Sequence, residues 1–243
     1  MTDSDTTLDT GAKAPGPFAI AINIFTAPRE AFAALEQKPS KLFPLLVVIC
    51  ALSLTFFWYF SIVDFDWYVD DALSLSNVPE AQLDDARETM LGMGQTTFMW
   101  IGMGGAVIGI LVIWTIQAGY LALVSALSGD RFKFSNWFSL VAWTGLTALL
   151  SAVGMVVNIV LTSNGQLSAY DLDPLTLANL GMQSSNGSLQ TIFRSINLPM
   201  FWSAALMVMA YRQWLQSSWQ RAAAIVLGPY VVIFGLWAFS ALT

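Results

Sequence analysis

The stretch from Leu42 to Val63 reads LFPLLVVICALSLTFFWYFSIV, about 22 residues without one charged side chain. A helix rising 1.5 Å per residue needs roughly 20 such residues to cross a hydrocarbon layer of about 30 Å. This segment alone therefore predicts a membrane span. Its far end is crowded with rings: Phe56, Phe57, Trp58, Tyr59 and Phe60, then Trp67 and Tyr68. Amphipathic rings settle at the headgroup level of a bilayer, so the cluster reads as an interfacial belt and not as a cofactor box.

Outward from this span the same pattern recurs. An apolar stretch beginning near Thr97 gives a second span at about 100–127, longer than an untilted helix needs, and tilt or a break near Gly102, Gly104 and Gly105 is expected to absorb the excess. A third span is read at 137–160. The fourth runs over 199–215, with Asn197 as its cap and Pro199 in its first turn, after a half-helix at Leu189 to Ile196. The fifth, 222–242, holds Gly228, Pro229 and Gly235, which membrane helices tolerate. The fold class is therefore all-α: a polytopic bundle of about five transmembrane helices with short amphipathic interfacial helices. Residues 1–24 read as a flexible polar tail, and residues 25–243 as one membrane domain.

Three amphipathic segments flank the spans. Ala27 to Gln37 places Pro28 in a first turn and Phe32 and Leu35 on a face opposite Arg29, Glu30 and Glu36, which predicts a helix lying on the membrane surface. In the acidic loop from Asp64 to Gln95, Pro79 to Leu91 reads as a helix with Leu83, Ala86 and Met90 on one face. A similar helix signal starts at Asp173-Pro174 and stops at Gly181.

Composition agrees with a membrane chain. Apolar residues make up 56% of the 243 and charged residues 11%, with a mean hydropathy of +0.62. The charged share is under half the roughly 25% of soluble domains. Net charge is −6 and no basic run interleaves with aromatics, so nucleic acid is not an expected partner. The opening residues lack the basic and apolar regions of a signal peptide, so the first span is expected to act as its own signal. Lysine and arginine divide eight to two across alternating loops: Lys13, Arg29, Lys38, Lys41, Arg131, Lys133, Arg212 and Arg221 against Arg87 and Arg194. The rule that positive loops stay inside then puts the N-terminus in the cytoplasm and the C-terminus outside.

Signals for chemistry are sparse. Histidine is absent and Cys50 is the single cysteine, which removes the commonest general base, the commonest metal ligand and any disulfide. No catalytic residue, cofactor site or metal site is read, and the chain is not expected to be an enzyme. Asp64, Asp66, Asp70 and Asp71 lack the turn glycine of a calcium loop and read as a solvated acidic surface. The polar candidates within the membrane are Gln117 and Asn158, read first as bonding between helices. Thr144, Thr147 and Ser151 join Asn158 in what would be a small polar seam, although Ser and Thr readily bond their own helix. Gly105 and Gly109 form a small-xxx-small motif, a helix-packing candidate within the chain or between copies.

Three motifs carry a resemblance: Ile24-Phe25-Thr26-Ala27-Pro28-Arg29-Glu30-Ala31-Phe32, Ser128-Gly129-Asp130-Arg131-Phe132-Lys133-Phe134, and Asn197-Leu198-Pro199-Met200-Phe201-Trp202. In this order, with the five-span layout, they resemble the prokaryotic branch of the YIP domain family, the Ypt-interacting proteins. The resemblance covers about Phe25 to the C-terminus. It implies a five-span bundle without active-site residues, working as an adaptor, assembly or membrane-organising factor, in a bacterial cytoplasmic membrane. Eukaryotic relatives associate with Rab-type GTPases through an N-terminal Tyr-Gly-Pro-Phe-like signature that this chain lacks, so Rab binding does not carry over. The leading expectation is thus a non-enzymatic protein packing against lipids, further copies of itself or other membrane proteins. The alternative is a small transporter, channel or lipid-moving protein with a polar path near Gln117 and Asn158.

Overall fold

A computed structural model describes residues 15–76, 78–162 and 164–242. Most of the tail expectation therefore lies outside the described residues. Within it, residues 17–24 belong to a helix, α1 (Pro17–Thr26), whose Ile20 and Ile24 are buried. That is a correction: the segment holds enough apolar surface to dock. After it come α2 (Pro28–Gln37), α3 (Leu42–Ile62), α4 (Phe65–Ser74), α5 (Leu83–Met93), α6 (Gln95–Leu127), α7 (Phe134–Thr144), α8 (Ala148–Leu161), α9 (Gly187–Ser195), α10 (Leu198–Leu215) and α11 (Trp219–Leu242). Among the described residues the only β pairing is a bridge between Thr176 and Asn197.

Four helical stretches are long and apolar enough to cross a bilayer: α3, α6, the α7–α8 run from Phe134 to Leu161, and α11. The expected fourth span, α10, is 18 residues long but falls outside this set. Tyr211, Arg212 and Gln213 make it more polar, and it tolerates them because α2, α7, α8 and α11 surround it. Leu206, Met207, Ala210 and Tyr211 are buried there. The bundle is thus four long apolar stretches and a fifth helix whose second half is largely buried, while Leu198, Phe201 and Trp202 in its first turns are exposed.

Helix α6 is continuous over 33 residues, and no break occurs at Gly102, Gly104 or Gly105. At its N-terminal end the Gln95 amide donates to the carbonyls of Phe60 and Val63, covering C-terminal carbonyls of α3. The interruption falls instead in the third span, where Gly145–Thr147 form a 3-10 turn between α7 and α8. A side chain on Gly145 would meet the Trp114 ring, so glycine is what lets α6 and the third span approach there.

Helix α2 packs its apolar face on the bundle. Phe32 and Leu35 are fully buried, and its apolar face is turned onto α7 and α10. Trp214 Nε1 donates to the Phe32 carbonyl at 3.0 Å, Gln213 Nε2 to that of Arg29 at 3.0 Å, and Arg131 pairs with Glu36 at 2.7 Å. Phe132 stacks on Trp214, with centroids 5.1 Å apart. The first two resemblance motifs thus lock this end of the bundle. The protein surface around Trp137, Tyr211 and Trp214 offers this face apolar burial with hydrogen bonds added.

At the opposite end, α4 was not expected. Asp64 caps it, accepting from Trp67 N at 3.2 Å, and Val69 is buried. The expected helix at 79–91 forms as a 3-10 turn at Glu80–Gln82 followed by α5. Arg87 ties α5 to α4 through Asp70 at 2.6 Å and Asp66 at 3.8 Å. The helix expected from Asp173 to Gly181 does not form. That segment is a chain of turns, because its hydrogen bonds go to α8 and to the 193–198 stretch: Leu177 N to Ile196 O, Ala178 N to Phe193 O, and Leu198 N to Leu175 O.

Candidate functional site

The sequence around Ser151 places Ser151, Gly154 and Asn158 at i, i+3 and i+7, one face of α8. The 166–186 loop lies against this face. Asn158 Nδ2 donates to the carbonyls of Asp171 and Leu172, at 2.9 and 3.3 Å. A side chain on Gly154 would come within 2.8 Å of Pro174 Cγ, so a bare backbone is needed for Pro174 to seat. These contacts carry Asp173 into the bundle until it is only 8% exposed.

Asp173 is held by three donors. Its Oδ1 accepts from Leu175 N at 3.0 Å, and its Oδ2 accepts from Ser151 Oγ at 2.7 Å and from Asn197 Nδ2 at 3.0 Å. The Asn197 amide cannot be flipped without loss, because its Oδ1 accepts from Met200 N at 3.0 Å and so caps α10. One residue of the third resemblance motif thus starts α10 and also presents an N–H to a buried carboxylate. Saturating a carboxylate with donors is what makes its burial tolerable.

This cluster forms one end of a cleft of about 350 Å³ between α3, α6, the broken third span, α10 and α11. Val48 and Leu52 wall it from α3, and Trp114 from α6. Thr147, in the 3-10 turn, donates to the carbonyls of Thr144 and Pro199, both at 3.0 Å, and fastens the break to the head of α10. Ile113, 64% exposed, brings the edge of the cleft to the lipid-facing surface. Gln117 and Tyr230 also line it, and the Gln117 amide donates to the Tyr230 hydroxyl, joining α6 to α11. Two apolar grooves of about 240 and 300 Å³ share Tyr230 as a wall.

The residues singled out from sequence are therefore dispersed. Gln117 lies in the cleft and bonds between helices, whereas Asn158 anchors a loop. Of the seam, Thr147 and Ser151 line the cleft, and Thr144 bonds back to Val141 O at 3.2 Å. Among the described residues, Gly105 and Gly109 have no neighbouring element within 4 Å of where a side chain would be. Pro28, Phe32 and Leu35 sit at the far end, on α2. Asp173 and Asn197 were missed as a pair because each carries a strong local signal, helix start and helix cap, that hid their meeting.

The Yip1 domain matches residues 22–242, which is nearly all of the described chain. The chain belongs to the Yip1 domain family. The match is to the domain as a whole and carries no assignment to a prokaryotic branch. No curated protein and no solved structure matches the chain. Within this Yip1 domain all three motifs that carried the resemblance have structural work: two lock α2 to the bundle end and the third caps α10 beside Asp173.

Proposed function

We propose that this Yip1 protein is a non-enzymatic membrane protein that takes up an amphipathic molecule, a lipid foremost, in the cleft between its spans and holds or moves it there. The observation that carries this reading is the cleft itself: an intramembrane groove open at Ile113 that leads from apolar walls to the Ser151, Asp173 and Asn197 cluster. A headgroup that brings its own donors, an ammonium or a hydroxyl, would meet acceptor lone pairs at that cluster, whose own donors are committed to Asp173 and Ser151, and an acyl chain would lie along the grooves around Tyr230. Asp173 is engaged by three donors, and the chain has no histidine, the commonest general base. We place the N-terminus inside on the distribution of lysine and arginine, and the protein in a bacterial cytoplasmic membrane on the resemblance of its motifs and the lack of a signal-peptide pattern in its opening residues.

The test is a Ser203→Trp substitution, which fills the cleft from α10. The purified chain should carry bound lipid detectable by mass spectrometry, and reconstituted vesicles should move a fluorescent phospholipid between leaflets; the substitution should reduce both. A folded Ser203→Trp protein that retains the same lipid as the parent removes the basis for the proposal. A second reading, an adaptor or assembly factor, is favoured by the open faces of Gly105 and Gly109 on α6. In-membrane crosslinking through that face should then yield copies or partners, and Gly105→Leu should abolish the product.

A further inference from the structure

At the end of the bundle that carries α2 lies a second cavity, of about 320 Å³, whose walls include Arg29, Arg212, Gln213, Gln216, Ser217 and Trp219. It is separate from the cleft and shares none of its residues. Among the described residues the ion pairs involve Arg87 and Arg131 alone, so Arg29 and Arg212 bring two positive charges to one cavity with no described carboxylate within 4 Å of either. Two donors in its walls are also stranded: Arg212 Nε and Ser217 Oγ are buried and have no hydrogen-bond partner. A buried donor without an acceptor is unfavourable by about 1–3 kcal/mol.

The surroundings hold the two arginines in place. Gln213 Nε2 binds the Arg29 carbonyl at 3.0 Å and fixes the start of α2 on α10. The Arg212 guanidinium lies over the Trp219 ring at 4.7 Å, which restrains its plane. Gln216 turns the chain with a φ of 49°, so that Ser217 and Trp219 fold back over the last turn of α10. Paired guanidinium forks and a hydroxyl match a tetrahedral oxyanion, which offers several acceptors in different directions, better than a planar carboxylate. Trp219, at the head of a membrane-spanning helix, marks the headgroup level.

We infer that Arg29 and Arg212 form a binding site for a phosphate group. Its source is either the headgroup of an anionic phospholipid in the adjoining leaflet or a free phosphate from the aqueous side; basic pockets between spans bind headgroup phosphates by the same chemistry.

The experiment uses the full chain in mild detergent and reads bound ligand by native mass spectrometry, with phosphatidylglycerol, phosphatidylcholine and inorganic phosphate as separate probes. The parent chain should retain phosphatidylglycerol over phosphatidylcholine, or bind inorganic phosphate. Loss of two charge-assisted contacts in an Arg29→Gln/Arg212→Gln protein should weaken that binding by about tenfold or more. Arg221→Gln is the matched control. Arg221 lies at the same end, bonded to Ser128 Oγ at 3.2 Å and outside the cavity, and its loss should leave binding unchanged. Arg29 is exposed, so Arg29→Gln alone gives a folded variant that should already weaken binding several-fold. Phosphatidylglycerol retention that depends on the two arginines identifies the lipid source, and dependence seen with inorganic phosphate alone identifies the soluble one. Binding of neither probe, or equal loss in Arg221→Gln, overturns the inference. Ser203→Trp should not affect this binding, which keeps the result independent of the cleft.

Discussion

Replacing Asn197 by Asp tests the buried cluster with almost no change of shape. Asp caps a helix as well as Asn does, so α10 keeps its start. The N–H that faces Asp173 becomes a second carboxylate oxygen about 3 Å from the first. Two full charges at that distance, with an effective dielectric near 20, repel by on the order of 5 kcal/mol. The pair avoids this by keeping one proton between them, which also restores a hydrogen bond. Holding a proton at pH 7 on a carboxylate of ordinary acidity costs about 4 kcal/mol, and the smaller of the two penalties governs. Asn197→Asp should therefore lower stability by about 4 kcal/mol at pH 7, and the deficit should shrink by about 1.4 kcal/mol per pH unit on acidification. The sign follows from proton counting: the folded variant binds a proton that its unfolded chain lacks near neutrality, so its stability rises as pH falls. Asn197→Ala, by contrast, loses a cap worth about 1 kcal/mol and one donor to Asp173, with no such pH dependence. Unfolding of the solubilised chain, followed by tryptophan fluorescence across pH, measures both. A variant as stable as the parent at neutral pH, or a deficit that ignores pH, would refute the geometry of the cluster.

Gly145→Ala forces a methyl group into the Trp114 ring and should destabilise by about 1–3 kcal/mol, whereas Gly105→Ala, with open space around it, should be neutral or gain up to about 1 kcal/mol; unfolding midpoints of the two variants check this. The Arg87 hydrogen bond holds the Asp70 carboxyl below the ordinary carboxylate range, so the α4–α5 pairing should persist above that range and weaken as pH falls through the lowered value. Hydrogen exchange over 65–93, corrected for intrinsic rates, should show this loosening in the parent and no pH step in Arg87→Ala. Cys50, exposed on α3 within a charge-free stretch, should resist maleimides in intact membranes, because they add to a thiolate and a thiolate forms only where water reaches, and should react once the chain is unfolded in detergent. Fast reaction in intact membranes would remove α3 from the bilayer.

The spans were legible because a charge-free run of about 20 residues has few other uses in a chain. The cap at Asn197 was legible for a related reason, since Asn before a first-turn proline is a local instruction. What local reading lacked was competition between surfaces. Phe32 and Leu35 form an apolar face that suits lipid and protein equally, and only the position of Trp137, Tyr211 and Trp214 decides for protein. Asp173-Pro174 starts helices in general, but here the donors of Ser151 and Asn197 and the gap left by Gly154 draw the segment inward as turns. The glycines of α6 and the third span look alike in sequence. Gly145 is needed for a close contact and Gly105 is not, and that depends on where Trp114 points.

The shielding of α10 bears on how the chain is made. Helices that are apolar enough partition into a bilayer one at a time and pack afterwards. That route is open to α3, α6, α7–α8 and α11. For α10, with Tyr211, Arg212 and Gln213 in its last turns, a lipid environment is poor until its neighbours are in place. Its entry during synthesis therefore depends on α11, the antiparallel helix that follows after a short turn, and on α7 and α8, already inserted. Truncation before Trp219 should strand α10 at the membrane surface, making α11 a requirement for seating the helix that precedes it.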